Sequence, residues 1–262
     1  MTEAEALGQI YHQFNSSTRT AQWVCTAAQK QAGPREGWAC DQEDSTVAVL
    51  DLLMAEVREG DSLKTYIVAS SVPAHASMGY DCHACAPAIG AAVFQWKDGH
   101  WIVQSVNPAI GFYGSWGEAP NIDLVTVGPQ KRGFLLSMSN EAQGYSDSSS
   151  VLLLPIGSTI SAVWDLGDED DNLGICDPQE GKCLFWRSSA AFHFIPSEQV
   201  SAYYDIEVIS RGRDRQDFNH PLVSENWTDV YRFNRDEYRL IRHTAFTESK
   251  RYAESPTGTP ER

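Results

Sequence analysis

Two stretches of this chain hold residues whose types and spacing could do chemistry. The first is Asp81-Cys82-His83-Ala84-Cys85-Ala86-Pro87. A Cys-x-x-Cys pair at a helix N-terminus carries out thiol–disulfide exchange, because the helix end lowers the pKa of one thiol. Here Pro87 and an expected β-hairpin follow the pair, where a redox fold needs a helix, so a structural disulfide is the leading expectation and an oxidoreductase the alternative. Zinc would need two ligands besides the thiols, and His75 with His83 is the nearby pair. Covalent haem attachment needs a histidine directly after the second cysteine, but Ala86 stands there.

The second stretch is Asp165-Leu166-Gly167-Asp168-Glu169-Asp170-Asp171-Asn172-Leu173-Gly174. Five carboxylates within seven residues repel one another unless a cation or a basic partner neutralises them. Asp168, Asp170 and Asn172 alternate as calcium ligands do, but Gly174 and Glu180 each fall one place late for a helix–loop–helix calcium site. The readings are a solvated acidic turn, an irregular Ca²⁺ loop, or a docking surface for a basic protein formed by Asp168, Glu169, Asp170 and Asp171. Hydrolase and nucleotide signatures are not met. In Tyr113-Gly114-Ser115-Trp116-Gly117 a tyrosine stands where a nucleophile elbow requires its first glycine, and there is no phosphate loop or dinucleotide fingerprint. The seven histidines are scattered through the chain. Phe112, Tyr113 and Trp116, interleaved with glycines, are candidate aromatic anchors at an interface or lids over a small core.

The elements that must position these residues are mostly strands. Ala6, Leu7, Ile10, Tyr11 and Phe14 fall at helical spacing, predicting a helix over 3–14, and residues 20–31 suggest a second helix stopped by Gly33-Pro34. Val47–Val57 fits a strand or a helix. From Leu63 onward, short alternating runs separated by Asp98-Gly99, Gly128-Pro129, Pro155-Ile156-Gly157 and Arg211-Gly212 predict strands. The expected fold is mainly β (α+β), with antiparallel sheets as a sandwich or open barrel and one or two N-terminal helices.

The runs Val93-Phe94-Gln95-Trp96…Trp101-Ile102-Val103 and Val230-Tyr231-Arg232-Phe233…Tyr238-Arg239-Leu240 share one pattern at an offset of 137. They suggest either a duplicated β unit or two hairpins that converged on the same half-buried alternation. The expected organisation is therefore residues 1–145 as helices plus a first β unit, 146–253 as a second, and 254–262 as a disordered tail, with one compact domain as the alternative.

Net charge is −15, and residues 187–262, with 11 basic and 12 acidic groups, carry almost none of it. Such a field disfavours nucleic acid and anionic membranes and suits a basic protein or a metal cation. No apolar run is long enough to span a bilayer. The six cysteines allow local pairings 25–40, 82–85 and 176–183, an even and closely spaced set that predicts disulfides and an exported protein. The acidic start Met1-Thr2-Glu3-Ala4-Glu5 is no signal peptide, so the expectation is a mature periplasmic or secreted chain.

Residues 80–117, with the Cys-His-Ala-Cys pair, an aromatic hairpin and Gly111-x-x-Gly114-x-Trp116-Gly117, resemble exported β-rich proteins of Gram-negative bacteria. The acidity, the cysteines and the lack of a catalytic set loosely resemble periplasmic immunity proteins that neutralise secreted, type VI lipase-like toxins. That resemblance implies a non-enzymatic inhibitor that blocks a cognate toxin enzyme through acidic and aromatic loops. A calcium-stabilised structural module is the remaining alternative.

Overall fold

A computed structural model describes residues 1–22, 46–74, 85–175, 186–199, 201–214 and 223–246. Among them lie one helix, α1 (Glu3–Ile10), and fourteen strands. Strands β1 (His12–Asn15), β2 (Thr20–Gln22), β3 (Thr46–Glu59), β4 (Ser62–Pro73), β5 (Ala88–Lys97) and β6 (His100–Phe112) pair in sequence order as a six-stranded sheet. An eight-stranded sheet contains β7 (Asn121–Gly128), β8 (Lys131–Ala142), β9 (Tyr145–Ile156) and β10 (Thr159–Asp171). It continues through β11 (Trp186–Ile195), β12 (Asp205–Asp214), β13 (Val223–Asn234) and β14 (Glu237–Phe246), again in sequence order. The mainly β, antiparallel expectation holds. The ambiguous Val47–Val57 run lies within β3.

Helix α1 starts on a capping box: Thr2 Oγ1 accepts from Glu5 N and Glu5 Oε2 from Thr2 N, at 3.3 and 2.8 Å. It ends earlier than the spacing predicts. Tyr11 turns extended (φ −110°, ψ 134°), and Phe14 belongs to β1. Its apolar stripe, Ala6, Leu7 and Ile10, packs on the six-stranded sheet, and that packing outweighs helical periodicity beyond Ile10. The second helix is corrected over Thr20–Gln22, which pairs with Thr46–Ala48 as β2. The rest of that stretch lies outside the described residues.

The chain divides into two compact units. The first holds residues 1–140, 148–166 and 235–237; the second holds 141–147, 167–234 and 238–262. Residues 140–150 form the β8–β9 hairpin, turned by Gln143 (φ 54°) and Gly144 (φ 83°). The tail from 254 lies outside the described residues.

The first unit is a sandwich. Tyr66 and Val68 of β4, with Ile89, Ala91 and Val93 of β5, face Phe134, Leu136, Val151, Leu153 and Ile160 of β8–β10. The alternate residues Ile67, Ala69, Ala88, Ala92 and Phe94 face α1. Both faces of β4 and β5 are covered, which is why these strands carry continuous apolar runs rather than alternation. The outer edge of β6 is tied to the β9–β10 turn. Val106 N donates to Ser158 O at 3.0 Å, Ser105 Oγ to Gly157 O at 2.8 Å and Asn107 Nδ2 to Ile160 O at 2.9 Å. At the β3–β4 hairpin, buried Glu59 is held from two sides, by Tyr66 OH at 2.6 Å and Lys64 Nζ at 2.8 Å.

The echoed hairpins match in detail. Asp98-Gly99 joins β5 to β6 and Arg235-Asp236 joins β13 to β14, with φ 51° at Asp98 and 65° at Arg235. Trp96 meets Trp101 at 5.3 Å and 66°, and Phe233 meets Tyr238 at 5.4 Å and 66°. Similar side chains beside a two-residue turn reproduce the same edge-to-face pair.

Candidate functional site

The acidic stretch is not a turn. Asp165 to Asp171 lie within β10, and Glu169, Asp170 and Asp171 pair with Ser189, Ser188 and Arg187 of β11. Strand alternation is what makes the run tolerable: it sends Asp168 and Asp170 to one face and Glu169 and Asp171 to the other. Serines stand opposite Glu169 and Asp170. Arg187, opposite Asp171, reaches Glu169 Oε1 at 2.8 Å. That pair is solvent-exposed and contributes little to stability.

The face carrying Asp168 and Asp170 also carries two aromatics. Register places Asp170 opposite Ser188, and so on the side of Trp186. Tyr145, the first residue of β9, stacks on Trp186 at 6.1 Å and 22°, which brings Asp147, two residues on, to the same side. Beside them a turn is built on β10's end. Asp171 Oδ1 accepts from Leu173 N at 2.9 Å, and Asn172 Oδ1 accepts from Trp186 N at 3.1 Å. Gly174 N donates to Gly144 O at 3.1 Å, an approach open only to glycine, since a Cβ on Gly174 would stand 2.6 Å from Gly144 Cα. Tyr145, Leu173 and Ile175 remain 44%, 44% and 54% exposed. The result is a fixed surface of carboxylates beside exposed aromatic and aliphatic groups.

Burial raises the Asp170 carboxyl pKa, and repulsion from Asp147 and then Asp171 adds to the rise. A carboxyl whose folded pKa is raised binds its proton more tightly in the fold, so ionising it costs stability as pH climbs from its unfolded value through its folded one. Asp170→Asn is therefore expected to raise the melting temperature at neutral pH, with the gain vanishing below the ordinary carboxylate range. Thermal melts of both proteins across that range check this. A gain that grows on acidification would contradict the assigned repulsion.

The calcium reading groups Asp168, Asp170 and Asn172. The structure places the two aspartates in a strand and engages Asn172 Oδ1 with Trp186 N, and among the described residues no three His, Cys, Asp or Glu side chains gather as metal ligands. Glu180 lies outside the described residues.

The aromatic loop belongs to the first unit. Phe112 ends β6 and packs on the α1-side core, and Tyr113 packs on the sandwich core, where burial and then Asp165 push its phenol pKa up. Trp116, at φ 55°, is 51% exposed. The loop is held on the Cys85–Pro87 segment: Gly117 N donates to Cys85 O at 2.7 Å and Tyr113 N to Pro87 O at 3.2 Å. A Cβ on Gly114 would overlap Glu118 O. Cys85 is 8% exposed, and β5 begins three residues after it. The helix N-terminus that activates a redox thiol is therefore not built after Cys85. Cys25, Cys40, Cys82, Cys176 and Cys183 lie outside the described residues.

Sequence reasoning missed Tyr145, Asp147 and Trp186. Each is unremarkable alone, and only the β10–β11 register and the Tyr145–Trp186 stack bring them beside Asp170. Three further side-chain contacts lie among the described residues of the second unit. His193 Nε2 lies 3.0 Å from Glu207 Oε2, and His243 Nδ1 lies 2.6 Å from Asp229 Oδ1. Arg232 grips buried Asp205 with two bonds, Nε to Oδ1 at 3.0 Å and Nη2 to Oδ2 at 2.7 Å. No protein-family model, curated protein or solved structure matches this chain.

Proposed function

We propose that this chain is a non-enzymatic binding protein that captures a basic protein partner on the end of β10, as an immunity or inhibitor protein of the periplasm captures a toxin enzyme. The observation that carries this reading is the shared face of Asp147, Asp168 and Asp170 with the Tyr145–Trp186 stack and the exposed Leu173 and Ile175. Interface cores favour aromatic anchors, and a carboxylate rim steers a cationic partner and makes association salt-dependent. The net charge of −15 extends that steering beyond contact distance. The even, closely spaced set of six cysteines is in keeping with an oxidising compartment.

The test begins with the enzyme retained by the immobilised protein from a periplasmic extract. Its activity is titrated against the chain and its association rate measured. Inhibition at one-to-one stoichiometry is expected, with an association rate that falls steeply with ionic strength. The combined variant Asp147→Asn, Asp168→Asn, Asp170→Asn is expected to slow association by about tenfold or more, whereas Glu169→Gln on the opposite face is expected to leave it unchanged. Unchanged rate and affinity in the combined variant would remove the interface from β10.

A further inference from the structure

Tyr145 opens β9 and Trp186 opens β11, the strands on either side of β10 in the eight-stranded sheet. Neighbouring strands lie about 4.8 Å apart, so the two residues are rooted roughly 9.6 Å from each other across β10. Their rings nevertheless meet at 6.1 Å and 22°. The two side chains therefore lean together over the end of β10 as a stacked pair. Hydrogen bonds fix the backbone on both sides of that pair. Trp186 N donates to Asn172 Oδ1 at 3.1 Å, and Gly174 N donates to the O of Gly144, the residue before Tyr145, at 3.1 Å. Tyr145 is 44% exposed, so the pair offers an aromatic surface to solvent.

Asp170 is the carboxylate beside that surface. It is exposed, and because it stands opposite Ser188 it lies on the same face as Trp186. After partial burial, the groups that raise its carboxyl pKa are Asp147 and then Asp171, both carboxylates. A cation placed against Asp170 relieves that repulsion. Arg187 occupies the opposite face of β11, where it holds Glu169 at 2.8 Å.

The aromatic pair decides which cation fits. An ammonium is a compact, strongly hydrated point charge, and a ring face replaces little of its water. A guanidinium is planar and more weakly hydrated, and it lies flat on a ring while its edge N–H groups reach a carboxylate. The rings already hold each other in place, so the contact orders few side chains that were free before.

We propose that the end of β10 is an arginine-selective subsite, in which one guanidinium of the basic partner lies on the Tyr145–Trp186 pair and donates to Asp170. This deepens the partner-capture reading and rests on it. Charge brings the partner to the face, and the rings distinguish its arginines from its lysines.

The probe is a labelled, end-blocked peptide alternating arginine with glycine, set against its lysine–glycine counterpart and titrated into the full chain by fluorescence anisotropy. The arginine Cδ protons are followed by NMR, because an aromatic face shifts protons lying over it upfield. The arginine peptide is expected to bind about fivefold or more tighter than the lysine peptide, with upfield-shifted Cδ protons. Tyr145→Ala is expected to bring the two peptides to one affinity and to abolish the shift. Tyr145→Phe keeps the ring and is expected to preserve both. Asp170→Asn is expected to weaken the arginine peptide severalfold, and circular dichroism of all three variants should match the parent. Equal affinity of the two peptides for the parent, an arginine preference that survives Tyr145→Ala, an unshifted Cδ signal, or failure of both peptides to bind would each overturn the subsite. The partner-capture reading fails separately, if Asp147→Asn, Asp168→Asn, Asp170→Asn captures the partner enzyme at an unchanged rate and affinity.

Discussion

Phe134→Ala is expected to destabilise the protein by about 3–5 kcal/mol, the range for deleting a fully buried aromatic ring. Phe134 has no solvent exposure and lies on the face where β8–β10 meet β4 and β5. Its ring stands edge-on to Tyr66 at 5.7 Å and 70°. The cost therefore has two sources. One is the cavity between the sheets. The other is lost support for Tyr66, whose hydroxyl donates to buried Glu59 at 2.6 Å while Lys64 holds the second oxygen at 2.8 Å. Urea unfolding at unchanged m-value measures the loss. Leu240→Ala, on an exposed strand, is the control and is expected to stay within about 0.5 kcal/mol of the parent. A Phe134→Ala cost no larger than the control's would mean that the two sheets do not share the face described.

The second large effect is expected at Asp205. Its carboxylate is 2% exposed as a residue and is gripped through both oxygens by Arg232, whose side chain is 18% exposed. That contact is the main reason the guanidinium pKa is raised. Asp205→Ala leaves a largely desolvated cation without its counter-charge, at a cost of about 3–5 kcal/mol. The double variant Asp205→Leu/Arg232→Met removes both charges and should recover most of that loss, because a buried pair seldom outperforms well-packed apolar groups. The cycle of both singles and the double measures the coupling. If the double is as unstable as the sum of the singles, the pair is not acting as a coupled, desolvated unit.

The strands were legible where one face is wet. Trp101–Val106, Ile122–Val127 and Ser158–Trp164 alternate and form β6, β7 and β10, and the matching aromatic hairpins could be read residue by residue. Val47–Val57 was ambiguous because β3 carries apolar residues on both sides, so its period is blurred. Phe14 looked helical because helical spacing ran past Ile10, but the chain needed β1 to pair with β2. The acidic run looked like a turn because five charges within seven residues are costly on one surface. Alternation across two faces, with serines opposite, removes that objection, and the sequence contains no local sign of it. Tyr145 and Trp186 were invisible for the same reason: their meeting depends on pairings between strands far apart in the chain.

Both sheets add their strands in sequence order, each beside its immediate predecessor. Their hydrogen-bonded ladders can consequently grow by zipping outward from two-residue turns such as Asp98-Gly99 and Gln143-Gly144, while the longer connections, such as those from β2 to β3 and from β4 to β5, add their own closure cost. In the first unit, the long-range entropic cost of folding is concentrated in bringing β4–β5 against β8–β10, where Tyr66 and Phe134 meet. Hairpins would form early under this scheme, and the folding rate would be governed by that single docking of preformed ribbons.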